Sequence, residues 1–140
     1  MAPVALDADV LIAFLDPGDA QHERAVKELR ARIAASERLL LSASVYAEVM
    51  IRPLERGTDA KVDEFLAAAK IAVVDVDRAL ARGAAQLRAR HHSLRLGDAL
   101  SLATALAHGA RLLSFDERLR RIAEREAQAS GPTSLGSTQT

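Results

Sequence analysis

The sequence predicts an α/β domain with a mostly parallel sheet, and three observations lead to that class. Short apolar runs of strand length alternate with longer segments whose apolar residues recur at helical spacing. The chain has 140 residues, which suits one domain, and 49% of them are hydrophobic, which is enough for a core. Turn residues separate the segments, and no internal repeat or domain boundary interrupts the alternation.

Four apolar runs have the length and the boundaries of buried strands. They cover residues 4–6, 39–41, 71–74 and 112–115. Between them, apolar residues spaced three and four apart predict amphipathic helices. These begin at residue 10 and then cover 19–35, 45–52, 59–69, 78–90, 99–107 and 117–127. Residues 129–140 are rich in Gly, Ser and Thr, and we expect them to form a disordered tail after a domain of residues 1–128.

The helix boundaries rest on capping and breaking residues. Aspartates at the predicted starts are N-cap candidates, namely Asp9, Asp19, Asp59, Asp77, Asp98 and Asp116. Pro53 is expected to end the helix before it, because the residue preceding a proline disfavours the helical conformation. Residues 52–58 are then a polar loop, and Gly109 ends the helix over 99–107.

Composition excludes several classes of protein. The chain has a formal charge of zero at pH 7, so no global excess of charge calls for nucleic acid or acidic lipid. It has no cysteine, which excludes disulfides and thiolate metal sites. No signal-peptide pattern opens the chain, and the longest uncharged apolar segment, residues 99–110, is too short to cross a bilayer. We therefore expect a soluble cytoplasmic protein without a membrane partner.

Four acids occupy comparable places in the predicted α/β pattern. Asp7 follows the first strand, Glu48 lies in the helix after the second, Asp98 opens the helix before the fourth, and Asp116 follows that strand. These places converge on the edge where open α/β sheets bind ligands. Asp98 and Asp116 could be simple N-caps, but Asp7 and Glu48 lie among apolar residues, where an uncompensated charge is costly.

Such a group of carboxylates predicts a site for a divalent cation. Crowded carboxylates repel one another and raise each other's pKa, and a hard cation removes that conflict. Mg²⁺ takes oxygen ligands and pairs with phosphate oxygens, and a site of this kind can activate water against a phosphodiester. The sequence offers no Ser-His-Asp order and no Gly-rich phosphate loop that would favour another reaction.

In order and spacing, four segments resemble the acidic motifs of PIN domains, and more narrowly those of the VapC toxins of bacterial toxin–antitoxin pairs. They are residues 6–12, 47–49, 96–99 and 113–116, within a stretch from residue 4 to about residue 119. The resemblance implies a three-layer PIN-like fold and a Mg²⁺- or Mn²⁺-dependent endoribonuclease. It further implies a homodimer that is held inactive by a VapB-type antitoxin. The acids that match the metal-binding, catalytic positions are Asp7, Glu48, Asp98 and Asp116.

Three further residues are accessory candidates under this resemblance. Asp9 stands where the family often has Ser, Thr or Asn, Ser114 matches a hydroxyl position near the site, and Arg95 precedes the third acid. The family often has another strand after the last acid, but no apolar run follows Ile122. We therefore expect a central sheet of four strands, or of five.

The sequence leaves alternatives open. The arginines before Asp98 are either an RNA-backbone track or a solvated helix face; they are Arg78, Arg82, Arg88, Arg90 and Arg95. A phosphoacceptor receiver-like domain is also doubly wound, but it needs a lysine at the end of a late strand. The lysines of this chain, Lys27, Lys61 and Lys70, lie in predicted helices or before a strand. A catalytically inactive PIN-like module that serves only for interaction is the third alternative.

Overall fold

Four short apolar strands form one parallel sheet in the computed structural model, which describes residues 2–130. The strands are β1 (Val4–Leu6), β2 (Leu39–Ser42), β3 (Ala72–Val74) and β4 (Arg111–Leu113). Their order is β3-β2-β1-β4, and each adjacent pair is parallel. The central strand β1 is buried along its whole length, as expected of a parallel strand that is covered on both faces.

Seven helices connect and cover the strands within the described part of the chain. They are α1 (Ala8–Leu15), α2 (His22–Ala34), α3 (Ala43–Arg56), α4 (Asp59–Ala68), α5 (Arg78–Arg90), α6 (Leu96–Ala107) and α7 (Glu117–Ala129). Helix α6 packs on three strands and on α3, α5 and α7, whereas α5 packs mainly on α6. None of the helices described here is long and apolar enough to cross a membrane.

Apolar clusters on the two faces of the sheet make the fold three-layered. Alternate residues of a strand point to opposite faces. Leu6 and Leu41 therefore join the cluster formed by α1 to α4, whereas Ala5 and Leu40 pack with Ala105 of α6. A further cluster ties α6 to α5 and α7. The predicted α/β class, with a parallel sheet of four strands between helical layers, is confirmed.

The predicted end of a helix before Pro53 is wrong. Helix α3 continues to Arg56 with the buried Pro53 inside it, so most of the loop predicted over 52–58 is helical. The helix ends in a Schellman motif, in which Gly57 adopts a left-handed conformation with φ 71° and the Thr58 N–H donates to the Pro53 carbonyl at 2.8 Å. Pro53 has no N–H to donate to the Val49 carbonyl, and its burial against the core offsets that lost hydrogen bond.

Several predicted N-caps also need correction. Asp9 and Asp98 lie inside the first turns of α1 and α6, and Asp59 is the first residue of α4. Helix α2 begins only at His22, because Asp19 accepts from the Gln21 N–H and so caps a turn before the helix. The caps that are confirmed are Asp77, which accepts from Leu80 N–H, and Asp116, which accepts from Arg118 and Leu119 N–H. Helix α7 runs two residues beyond its predicted end, and the predicted tail from residue 131 lies outside the described residues.

Candidate active site

Five carboxylates meet at the edge of the sheet where β1 and β4 end and α6 begins. Asp7 follows β1, Asp9 lies in the first turn of α1, Glu48 in α3, Asp98 in the first turn of α6, and Asp116 after β4. Asp7, Asp9, Glu48 and Asp98 each feel the charge of another acid of the group, and Asp116 is one of the charges that act on Asp9 and Asp98. The structure therefore brings all four predicted acids together with Asp9. Asp7 is 6% exposed, whereas Glu48 and Asp116 are open to solvent.

Asp7 is the fixed centre of this group. Ser101 Oγ donates to its Oδ1 and Ser114 Oγ to its Oδ2, both at 3.0 Å. Burial raises the pKa of Asp7, the charge of Asp9 raises it further, and the two hydroxyls offset part of the rise. Two hydroxyl donors hold the buried carboxylate in one orientation without adding an opposite charge.

Asp9 has one satisfied oxygen and one orphaned oxygen. Its Oδ2 accepts from the Phe115 N–H at 3.0 Å and lies 3.3 Å from Ser114 Oγ, whose single proton is directed at the nearer Asp7. Its Oδ1 is buried without a hydrogen-bond partner among residues 2–130. Burial is also the main cause that raises the pKa of Asp9. A buried acceptor without a donor carries a free-energy penalty that a bound cation would remove.

Glu48 reaches the site across a gap left by Gly97. A Cβ atom on Gly97 would lie 2.6 Å from Glu48 Oε1, closer than side-chain contacts allow. Partial burial raises the pKa of Glu48, and the charges of Asp7 and Asp98 raise it further. The glycine beside Asp98 is therefore what lets α6 and the Glu48 carboxylate approach each other.

Asp98 and Asp116 differ in what binds them. Burial and the Asp7 charge raise the pKa of Asp98, whereas the backbone and the charge of Arg95 lower it. Asp116 uses a single oxygen, Oδ1, to accept from the N–H groups of Arg118 at 3.0 Å and Leu119 at 3.2 Å. Asp116 therefore caps α7 with one oxygen, and a cation can approach the other.

The donor set fits a hard divalent cation that keeps part of its water shell. All donors are carboxylate oxygens, the ligands that Mg²⁺ prefers, and the orphaned Oδ1 of Asp9 supports a positive charge at this edge. Among residues 2–130, however, no three acidic side chains converge tightly enough to enclose an ion on their own. A cation bound here would therefore complete its coordination with water, as Mg²⁺ commonly does.

A groove between α1, α3 and α4 opens beside this site. Its volume is about 530 Å³, its walls include Ile12, Val49 and Val62, and Glu48 lines the end nearest the other acids. Ile51 also lines the groove and is 57% exposed, which is unusual for so large an apolar side chain. Basic residues also line the groove, namely Arg52, Arg56 and Lys61.

Several contributors to the site were missed from the sequence. Ser101 lies three positions after Asp98, a helical spacing that puts both on one face, and this signal was available. The Phe115 N–H and Arg24, whose guanidinium stacks on the Phe115 ring at 4.3 Å from its centroid, leave no comparable signal. Ser114, an accessory candidate, contacts Asp7 and accepts from the Asp116 N–H at 3.1 Å.

Comparison with known proteins identifies similar sequences and folds. The family model of the PIN domain matches residues 4–125. The fold is similar to the toxin VapC20 of Mycobacterium tuberculosis, described as cleaving the sarcin-ricin loop, with TM-score 0.68 and 21% identity over 84% of this chain and 93% of that chain. It is also similar to FitAcB of Neisseria gonorrhoeae, with TM-score 0.64 and 24% identity over 86% and 93% of the two chains. VapBC2 of Rickettsia felis, bound to a promoter DNA fragment, gives TM-score 0.68 and 16% identity over 85% and 92%. No curated protein sequence matches the chain.

Proposed function

The chain belongs to the PIN domain family, and on that premise we propose that it is a metal-dependent endoribonuclease, the toxin of a VapBC-type toxin–antitoxin pair. The observation that carries the proposal is the group of carboxylates at the carboxyl edge of the sheet, where burial and mutual repulsion raise the pKa of Asp7, Asp9, Glu48 and Asp98 and so favour a cation among them. Nucleases with a PIN domain generally use divalent metals. The similar toxin folds support the toxin role as a proposal for this chain.

The residues that would hold Mg²⁺ or Mn²⁺ are Asp7, Glu48, Asp98 and Asp116, with Asp9 as a further oxygen donor. When bound, the ion would lower the pKa of a water molecule and neutralise charge on the phosphodiester. Ser101 and Ser114 orient the carboxylate of Asp7. Among these carboxylates Glu48 combines exposure with a raised pKa, which suits it to take a proton from attacking water.

Cleavage assays with controlled metal content test this function. We expect cleavage of single-stranded or loop RNA in the presence of Mg²⁺ or Mn²⁺, complete loss in EDTA, and recovery when Mg²⁺ is added in excess. Undiminished cleavage in EDTA would contradict metal dependence. No cleavage with either metal, by protein that is folded by circular dichroism, would favour the inactive interaction module.

We also propose that a VapB-type antitoxin and a second copy of this chain cover its apolar surface. The groove between α1, α3 and α4 supports the antitoxin site, because its apolar walls and basic residues suit a partner segment with both apolar and acidic residues. Exposed Ile51 and Leu54, which is 61% exposed, add apolar area on α3.

Two measurements test these partners. Light scattering at micromolar concentration should give the mass of a dimer, and a monomer would count against self-association. A VapB-type antitoxin that co-purifies with this chain should suppress RNA cleavage, and Ile51→Glu should weaken that suppression while leaving cleavage by the isolated chain intact. Unchanged suppression of the variant would remove the groove from the antitoxin interface.

A further inference from the structure

A second cleft, lined by arginines, lies beside β4 between α2 and the start of α7. Its volume is about 200 Å³, and Ser114 and Phe115 line the end nearest the acids. Its charged side chains are those of Arg24, Glu28, Arg32, Arg111 and Arg120. Four arginines against one glutamate give the lining a net positive charge.

Two of the four arginines have no carboxylate partner and are therefore available to a ligand. Arg32 lies 3.5 Å from a carboxylate oxygen of Glu28 and 3.0 Å from one of Glu37, and Arg111 lies 3.7 Å from the other oxygen of Glu37. Arg24 and Arg120 form no ion pair with a carboxylate among residues 2–130. The two glutamates thus offset Arg32 and Arg111 and leave two exposed cations.

The cleft is joined to the acidic site by direct contacts. Arg24 stacks on Phe115, and the Phe115 N–H donates to Asp9 Oδ2 at 3.0 Å. A guanidinium that stacks on a ring keeps its charge and its outer N–H groups for an anion. An anion bound at Arg24 would therefore lie next to the five clustered carboxylates, on the side of β4.

The edge of β4 supplies a further donor. Within residues 2–130, β4 pairs only with β1, and the Arg111 N–H donates to the Pro3 carbonyl on that side. Because successive amides of a strand point in opposite directions, the Leu112 N–H faces away from β1, and Leu112 lines the cleft. The cleft thus combines a backbone amide with two available guanidinium groups.

We propose that this cleft binds phosphates of the RNA strand next to the bond that is cut at the acids. The inference rests on the proposed ribonuclease function and specifies the path of its substrate. On the rival path along α5, Arg88 donates to the Leu94 carbonyl and Arg90 pairs with Glu126, whereas Arg78, Arg82 and Arg95 form no ion pair among residues 2–130. The cleft is favoured because Arg24 stacks on Phe115, whose N–H binds Asp9, and because the Leu112 N–H adds a donor there.

Charge-neutral variants with matched controls test the path. Arg24→Gln with Arg120→Gln removes the two available charges, and Gln keeps a planar polar group on a side chain that is two atoms shorter. Arg30→Gln with Arg125→Gln removes two exposed charges from the same helices, α2 and α7, outside the cleft. Binding is measured by anisotropy of a short fluorescein-labelled single-stranded RNA in EDTA, over a series of KCl concentrations.

The cleft variant should bind the RNA about tenfold more weakly at low salt. Its plot of log affinity against log salt should flatten by up to about 1.4, at roughly 0.7 per lost phosphate contact, while the control variant stays close to wild type. With Mg²⁺ present, the cleft variant should raise KM by a larger factor than it lowers kcat. Equal losses in the cleft and control variants, or a full loss from Arg78→Gln with Arg82→Gln on α5 instead, would overturn the assignment.

The outcomes separate this inference from the proposed function. RNA binding that depends on the cleft, without cleavage, would support the cleft as an RNA-binding site and contradict the proposed ribonuclease function. Metal-dependent cleavage, with KM and the salt slope of the cleft variant unchanged from wild type, would support the ribonuclease function and contradict RNA binding in the cleft.

Discussion

Replacing Gly97 by alanine should separate stability from activity. The new Cβ would lie 2.6 Å from Glu48 Oε1, so the exposed end of the Glu48 side chain must rotate away from α6. The rotation is cheap, because it moves only the end of a flexible side chain and relieves repulsion with Asp7 and Asp98. Alanine in place of a helical glycine also stabilises by about 0.4–1 kcal/mol where the site accepts it. The metal-free variant should therefore be at least as stable as wild type.

The same rotation should weaken the proposed metal site. At 100 times the dissociation constant, Mg²⁺ should stabilise the wild-type protein by about 2.7 kcal/mol; if G97A binds tenfold more weakly, about 1.4 kcal/mol remains at the same concentration. Gly83→Ala in α5 is the matched control, because its Cβ would meet only the Ala103 Cβ at 3.8 Å, an ordinary contact. That control should gain helix stability and keep the full Mg²⁺ effect.

Thermal unfolding in EDTA and in Mg²⁺, together with an RNA cleavage assay, measures both effects. We expect G97A to lose most of its cleavage activity and G83A to lose none. If G97A cleaves RNA at the wild-type rate and shows the full Mg²⁺ stabilisation, Glu48 does not act at the position described here.

Three further predictions concern single acids. Asp98→Asn should abolish cleavage without loss of stability in EDTA, because Asp98 does not cap α6. Asp116→Asn should have the same effects, since Asn caps a helix as well as Asp does. Normal cleavage by either variant would remove that residue from the site. Because burial raises the pKa of Asp7, the contribution of Asp7 to the free energy of unfolding is full below the ordinary carboxyl pKa and is lost as pH rises through the raised value. Urea unfolding in EDTA should therefore show that stability falls from pH 4 to 8 less steeply in Asp7→Asn than in wild type. Equal slopes would contradict this. Arg90 holds the pKa of Glu126 below its usual value, so Glu126→Gln should lower the free energy of unfolding by about 1 kcal/mol at pH 7. The two proteins should be equally stable once acid has protonated the wild-type carboxyl. A difference that does not depend on pH would show that charge is not the cause.

The sequence predicted the order of strands and helices because each element carries its own local signal. The run Leu39–Leu41 and the cap at Asp77 are read directly from residue type and spacing. Boundaries that depend on tertiary packing were less accessible. Burial of Pro53 carries α3 past the point at which local propensity predicts its end.

For the candidate site, too, the sequence predicted the residues that carry a local signal and not the contacts that depend on tertiary packing. Asp7 and Glu48 were selected because acids among apolar residues conflict with burial, and Asp98 and Asp116 because they fall at the same edge of the predicted sheet; both signals are visible in the sequence. The acceptors and donors that orient them come from distant segments. The Phe115 N–H that holds Asp9 is a backbone group, which any residue except proline could supply, and Arg24 reaches the site only through the packing of α2 beside β4.

The position of β1 between β2 and β4 has a consequence for synthesis on the ribosome. Val4 pairs with Arg111, roughly a hundred positions later, so β1 lacks one neighbour until translation has passed β4. At about 5–20 residues per second, that interval lasts roughly 5–20 s. During it, Asp7 lacks the Ser114 hydroxyl and Asp9 lacks the neighbouring Asp116 carboxylate, and α6 appears only shortly before them. A nascent chain therefore completes its group of acids only after Asp116 has been synthesised.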